Sequence, residues 1–244
     1  MKRLLKSIGV CCSLVLLVLP TSVFADNDVR DYIPLPPGTM LMALYYNYTS
    51  ATDLYQQGDK ISGDANLNAN IGVIRPVYYT KIGPFTIDPQ AIIPFGAQSL
   101  DGEAVGGVEI QSSGLADPIL AATLWFLNDP ESKTWLGFTP FITLPIGEYD
   151  NNKGINLGAN RYAFKTELGF VKGFGNVILD LAANVEFYTD NDDYTPAGLT
   201  LEQDPLYILE GHLSYDFNPS FFLSADYFYH YGGGNKCGRN RSGK

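Results

Sequence analysis

Strict alternation of apolar and polar residues from Val177 to Phe187 constrains this chain more than any other feature. Val177, Leu179, Leu181, Ala183, Val185 and Phe187 point one way, whereas Asp180, Asn184 and Glu186 point the other, because successive side chains of a strand lie on opposite faces. The design recurs three times. Tyr207, Leu209, Gly211, Leu213, Tyr215 and Phe217 oppose Glu210, His212, Ser214 and Asp216. Phe221, Leu223, Ala225, Tyr227, Tyr229 and Tyr231 oppose Ser224, Asp226 and His230. A weaker copy sets Tyr162, Phe164, Thr166, Leu168 and Phe170 against Lys165 and Glu167. No comparable helical period occurs after the amino terminus, so the chain reads as all-β.

A secreted soluble β-sandwich would alternate as well. Three further features favour an antiparallel up-and-down transmembrane β-barrel. The apolar faces end in aromatics (Phe187 with Tyr188, Tyr215 with Phe217, Tyr227 with Tyr229 and Tyr231), as at a membrane–water interface. The strands match the roughly 9–11 residues of a tilted crossing. Connections also alternate in length: Lys172–Asn176 and Asn218-Pro219 are tight, whereas Asp190–Asp204 is long and polar. Weaker strands are expected at Met40–Tyr48, Leu67–Ile82, Phe85–Ser99, Ala116–Asn128 and Trp135–Tyr149. Pro76, Pro89, Pro94, Pro118, Pro140 and Pro145 lie in them and call for bulges or kinks. Nine strands is an odd number for a bacterial single-chain barrel. The stretch after Tyr231 shows no strand pattern, so a closing strand is expected to be missing and residues 233–244 to form an aberrant or disordered tail.

The amino terminus reads as a secretory leader, with Lys2, Arg3 and Lys6 before an apolar run from Ile8 to Leu19, then Pro20 and a small-residue site at Ala25. Cys11 and Cys12 belong to that leader. Removing 25 of the 244 residues leaves 219 and shifts the formal charge from −10 to −13, which excludes a basic nucleic-acid footprint. One cysteine, Cys237, then remains, so no intrachain disulfide is expected. The organisation expected is a leader at 1–25, a periplasmic segment at 26–39, a barrel domain at 40–232 and the tail.

Several residue groups could imitate chemistry. His212 and Ser214 share a face with Glu210 and Asp216, but side chains two apart on a strand stand about 7 Å apart, so a nucleophile–base contact would need a neighbouring strand. Asp190-Asn191-Asp192-Asp193 begins like a calcium loop yet has Thr195 at the sixth position and Leu201 at the twelfth, where glycine and glutamate are required. Gly173-Phe174-Gly175 is a turn between strands rather than a dinucleotide fingerprint. No catalytic residue, metal site or cofactor is therefore expected. The lumen-lining candidates are Lys165, Glu167, Asp180, Asn184, Glu186, Glu210, His212, Asp216, Asp226 and His230. Most are acidic, so a water-filled passage would pass neutral or cationic solutes more easily than anions. Ile178, Ile208, Phe222 and Phe228 could add an apolar patch inside.

Several strings resemble the MetA-pathway phenol-degradation family of Gram-negative outer-membrane transporters: Tyr32–Thr39, Gly72–Tyr79, Pro89–Gly96, Ser112–Pro118, Asn128–Trp135, Gly137–Pro140 with Leu144–Gly147, Asn156–Gly158 with Asn160-Arg161, and Tyr188–Asp193 with Gln203–Pro205. The likeness spans about residues 30–232. It implies a barrel with further strands after Gly233, located in the outer membrane. It also implies uptake of small apolar or aromatic compounds. The partners implied are outer-membrane lipid, periplasmic chaperones, the barrel-assembly machinery and a small apolar solute. The other readings are a non-transporting barrel plugged by Asp26–Pro37 or by loops, a membrane esterase, and the soluble sandwich.

Overall fold

The structure is a computed structural model that describes residues 27–56, 59–62 and 64–239. The expected leader, with Cys11 and Cys12, lies outside the described residues. In chain order the strands are β1 Met40–Ala51, β2 Leu54–Gln56, β3 Asp59–Ser62, β4 Asn66–Tyr78, β5 Thr80–Ile82, β6 Phe85–Asp101, β7 Ile110–Leu115, β8 Ile119–Asp129 and β9 Thr134–Thr143. They continue as β10 Ala163–Phe174, β11 Val177–Tyr188, β12 Leu199–Gln203, β13 Leu206–Asn218, β14 Phe221–Gly232 and β15 Asn235–Arg239. The only helical element among the described residues is a 3-10 turn at Glu103–Val105.

One antiparallel sheet carries the fold, in the order β1-β4-β6-β8-β9-β10-β11-β13-β14, and curves into a half-barrel. This path contains the nine strands that the alternation marks. β1 and β14 stand at its two ends and do not pair with each other. Tight links lie at one end of the sheet, such as Gly175-Asn176, where Gly175 takes the left-handed φ of +63° that the reversal needs. The long connections, 144–162 among them, lie at the other.

Most strands of the sheet keep a polar face inside, whereas β14, at its edge, is exposed along its whole length. On β11, Ile178, Asp180, Ala182 and Asn184 are buried while Leu181, Ala183 and Phe187 are exposed. β13 repeats this with Ile208, Glu210, His212 and Ser214 inside and Tyr207, Leu209, Leu213 and Tyr215 outside. This is a soluble protein turned inside out: Leu168, Leu181, Leu209 and Leu213 form an exposed apolar band on the convex face. Tyr162, Phe164, Phe187, Tyr207 and Tyr231 border the band at the loop end; Phe174, Tyr215, Phe217 and Phe221 border it at the turn end. Tyr162 stacks on Phe164 at 6.3 Å, and Phe217 meets Tyr215 at 5.0 Å and Phe221 at 5.4 Å. A twelve-residue strand such as β11, rising roughly 3.3 Å per residue at a tilt of about 40°, spans about 30 Å, the thickness of a bilayer's hydrocarbon.

The weaker strands differ in detail. The single strand expected at Leu67–Ile82 breaks at Tyr79, whose N–H donates to Thr39 O at 2.9 Å, but β5 resumes the same register against β6. The segment expected from Ala116 is longer: β7 and β8 follow one another along β6, separated by Ala116-Asp117-Pro118 and a one-residue register change. That is the irregularity Pro118 demands. The segment expected to reach Tyr149 stops at Thr143, because the Asp117 carboxylate draws Gly147 N–H and Ala159 N–H into a loop at 2.8 and 2.7 Å. The stretch after Tyr231 is not patternless. Gly232 and Gly233 take left-handed φ values of +89° and +71° and turn the chain back, so that β15 pairs with β12 inside the supposed loop Asp190–Asp204. Lys236 Nζ reaches Asp204 at 2.6 Å. Such a ladder is held by backbone and needs no apolar face, so alternation does not reveal it.

Candidate channel interior and plug

The concave face is occupied at its turn end by the described segment that precedes β1, from Asn27 onward. Asn27 N–H donates to Glu210 Oε2 at 3.0 Å, and Arg30 N–H to Asp180 Oδ1 at 3.1 Å. The Arg30 guanidinium donates to Ser214 Oγ from two nitrogens (3.2 and 3.0 Å), meets Asp216 Oδ1 at 2.8 Å and lies 4.0 Å over the Phe222 ring. Arg30 holds a φ of +72°, a left-handed conformation that is costly for a side chain bearing a Cβ and persists because its backbone and side chain are both fixed. Asp31 pairs with Arg75 at 2.9 Å, and Arg75 also donates to Gln90 Oε1 at 2.7 Å.

Tyr32 is the centre of this plug. Its ring packs with Val77, Tyr79, Trp125, Trp135, Val171 and Ile178, an apolar cluster inside the sheet. Gly169 and Gly137 make the slot: a Cβ at Gly169 would overlap the ring, and one at Gly137 would stand 3.0 Å from it. The Tyr32 hydroxyl donates to Glu167 Oε1 at 2.8 Å and lies 2.8 Å from Thr139 Oγ1, while Trp125 Nε1–H donates to Tyr32 O at 2.9 Å. Burial, reinforced by the Glu167 charge, pushes the phenol's pKa far up, so it stays protonated and remains the donor.

The ten lumen candidates therefore divide by task. Glu167, Asp180, Glu210 and Asp216 hold the plug directly. Asn184 bridges Glu167 (3.1 Å) and Glu210 (2.9 Å), and Lys165 pairs with Glu167 at 3.2 Å. His212 Nδ1 meets Asp226 Oδ1 at 2.8 Å and its ring stands edge-on to Phe228. His230 is exposed on β14. Glu186 faces a separate chamber. Ser214 is bound by Arg30 and His212 by Asp226, so the serine and histidine of the esterase reading are not brought together. Of the apolar candidates, Ile178 and Ile208 are buried inside, and Phe222 and Phe228 are more open.

Above the plug, at the loop end, a chamber of about 120 Å³ is lined by Ile71, Ile92, Ile119, Phe141, Ala163, Leu157, Arg161, Lys165, Glu186 and Tyr188, among others. Its lining is mainly apolar. Lys165 Nζ lies 4.1 Å over the Phe141 ring, and the Arg161 guanidinium 4.6 Å over the Tyr188 ring. Tyr188 donates to Glu186 Oε2 at 2.9 Å. The Asp117-bound loop forms the wall beside Arg161. The alternative of a plug at Asp26–Pro37 covers Arg30 and Tyr32 as part of a segment, but the sequence singles out none of Arg30, Tyr32, Arg75, Asp117 and Arg161 by itself. Tyr32, Arg75, Asp117 and Arg161 all fall within resembling strings, and an arginine near an acidic strand face was the available signal for Arg30.

A curved antiparallel sheet, apolar outside, polar and plugged inside, defines the class of outer-membrane β-barrel channels. The chain matches the family model described as "Putative MetA-pathway of phenol degradation" over residues 51–242, and it belongs to that family. The match extends past the point at which the sequence strings give out. Among solved structures, the chain is similar to the COG4313 outer membrane channel from Pseudomonas putida F1, with a TM-score of 0.80 and 31% identity over 87% of this chain and 79% of that one. No curated protein sequence matches.

Proposed function

We propose that this chain is an outer-membrane channel that takes up small apolar or aromatic compounds. The observation that carries this reading is the chamber: a largely apolar space of about 120 Å³ at the loop end, floored by a plug. A cavity of roughly 150 Å³ in a protein core suffices to bind benzene, so this space is of single-ring size. The convex band is matched to outer-membrane lipid. The leader-type amino terminus fits export, with periplasmic chaperones and the barrel-assembly machinery as the handlers of such a chain in a Gram-negative cell.

The seated plug favours a second reading, a barrel that binds solute without passing it. Both are tested by expressing the full chain with its leader in a Gram-negative host and measuring entry of labelled phenol against a sugar of similar mass. Phenol entry above the empty-vector level, with no gain for the sugar, is expected. Phenol binding to the purified protein without any gain in entry would favour the non-transporting barrel, and neither binding nor entry would refute the solute reading.

A further inference from the structure

Among the described residues, Arg161 is a charge without a counter-ion. It is 4% exposed and stands near the end of the connection 144–162, where it lines the chamber. Its Nη2 donates to Gln203 Oε1, a neutral acceptor, its plane covers the Tyr188 ring, and its Nη1 has no hydrogen-bond partner among the described residues. No carboxylate among the described residues lies within ion-pair distance; Glu186 and Asp190 act on it only from further away. A guanidinium cannot shed its proton to escape burial. A buried, unpaired charge is among the costliest features a fold can carry, and it is retained where something supplies the missing anion.

The loop behind Arg161 leaves an enclosed space of about 20 Å³ between it and Tyr149, Ile155 and Asn191, room for one water. A water would satisfy the free N–H but not the charge. Lys165, the other cation of the chamber, already has Glu167 at 3.2 Å. Arg161 is therefore the group in the chamber wall whose charge calls for an anion. It stands beside apolar surface contributed by Ile71, Ile92, Ile119 and Phe141.

We infer that the chamber selects a single-ring aromatic bearing one carboxylate, the ring among these apolar side chains and the carboxylate against the Arg161 guanidinium. This rests on the solute-binding reading above and sharpens its substrate class. It also departs from the expectation that an acidic lumen disfavours anions: the acidic residues of β10, β11 and β13 mostly hold the plug, whereas the chamber above it presents Arg161. There the carboxylate would give the guanidinium a charge-assisted partner.

The test uses the purified full chain in detergent at neutral pH, with calorimetric titration of three probes of equal size: benzoate, benzyl alcohol and benzylamine. Benzoate is expected to bind at least about tenfold more tightly than benzyl alcohol, and benzylamine more weakly than either. Arg161→Gln should reduce benzoate to the level of benzyl alcohol while leaving benzyl alcohol unchanged, and Arg161→Lys should keep part of the preference. Equal binding of benzoate and benzyl alcohol by the unmodified chain overturns the inference without needing any variant, and leaves the broader solute reading standing. An Arg161→Gln variant that loses both probes alike, or neither, overturns it too, since the residue would then only shape the wall or play no part. Binding of none of the three refutes the inference and the solute reading together.

Discussion

Replacing Tyr32 should unseat the plug by an amount that can be worked from its contacts. Tyr32→Phe keeps the ring in its slot but removes the donor to the buried Glu167 carboxylate at 2.8 Å. A hydrogen bond to a charged group contributes about 1.5–3 kcal/mol, so the ratio of seated to unseated plug should fall roughly 10- to 150-fold. Tyr32→Ala also removes a ring that is 6% exposed, raising the loss to about 3–5 kcal/mol. Trypsin provides the assay, because cleavage after Arg30 requires the segment to leave Asp180, Ser214 and Asp216. When opening is fast, the cleavage rate follows the unseated population, so the two variants should be cut progressively faster than the parent. Gly169→Ala attacks the same contact from the wall, since its Cβ would overlap the ring. Combined with Tyr32→Ala it should cost little further, and the non-additivity measures the contact. Cleavage after Arg30 at the parental rate in both Tyr32 variants would refute the plug as described.

Three other outcomes are expected. Leu181→Arg, in the middle of the convex band, should cost about 2–4 kcal/mol in urea unfolding from bilayers, and a loss below about 0.5 kcal/mol would mean that this face does not meet hydrocarbon. Gly96→Ala would drive a Cβ into the Asn70 carbonyl oxygen of the facing strand, so the heat-modifiable, compact gel form of the protein should disappear. Asp117→Ala removes the acceptor of the half-buried Gly147 and Ala159 amides, costing about 1 kcal/mol each; tryptic cleavage at Lys153 should accelerate while cleavage after Arg30 does not.

The four strands with the cleanest alternation, β10, β11, β13 and β14, were legible in the sequence because each satisfies two solvents at once. Lipid outside and a polar interior write opposite residue types at odd and even positions, and the weaker strands still kept enough of that pattern to be placed. What alternation could not convey was anything fixed by a distant partner. Trp135–Tyr149 looked like one strand because Asp117, some thirty positions earlier, is what ends it at Thr143. β15 looked like a tail because its own residues, Asn235–Arg239, carry no apolar alternation and its pairing with β12 is made through the backbone. The interior polar residues were correctly set on one side of the strands, yet their task was hidden: Glu167, Asp180 and Glu210 read as the lining of a passage until Asn27, Arg30 and Tyr32 were found against them. Nothing in the sequence marks Arg161 apart from its neighbours, since its isolation from the described carboxylates is a property of three-dimensional packing.

The reach of the plug carries a consequence for the order of assembly. Most strands of the sheet pair with close sequence neighbours and can form as local hairpins, but the contacts of Arg30 span 184 and 186 positions to Ser214 and Asp216. Loop closure over that distance is unfavourable until both ends are already held, so the segment docks after the wall from β4 to β13 is built. The slot that receives Tyr32 is walled by glycines on β9 and β10, which leaves a thin, loosely supported patch until the ring arrives. The segment from Asn27 to Tyr32 thus behaves as a late-fitted wedge, and its seating reports that the wall behind it has been completed.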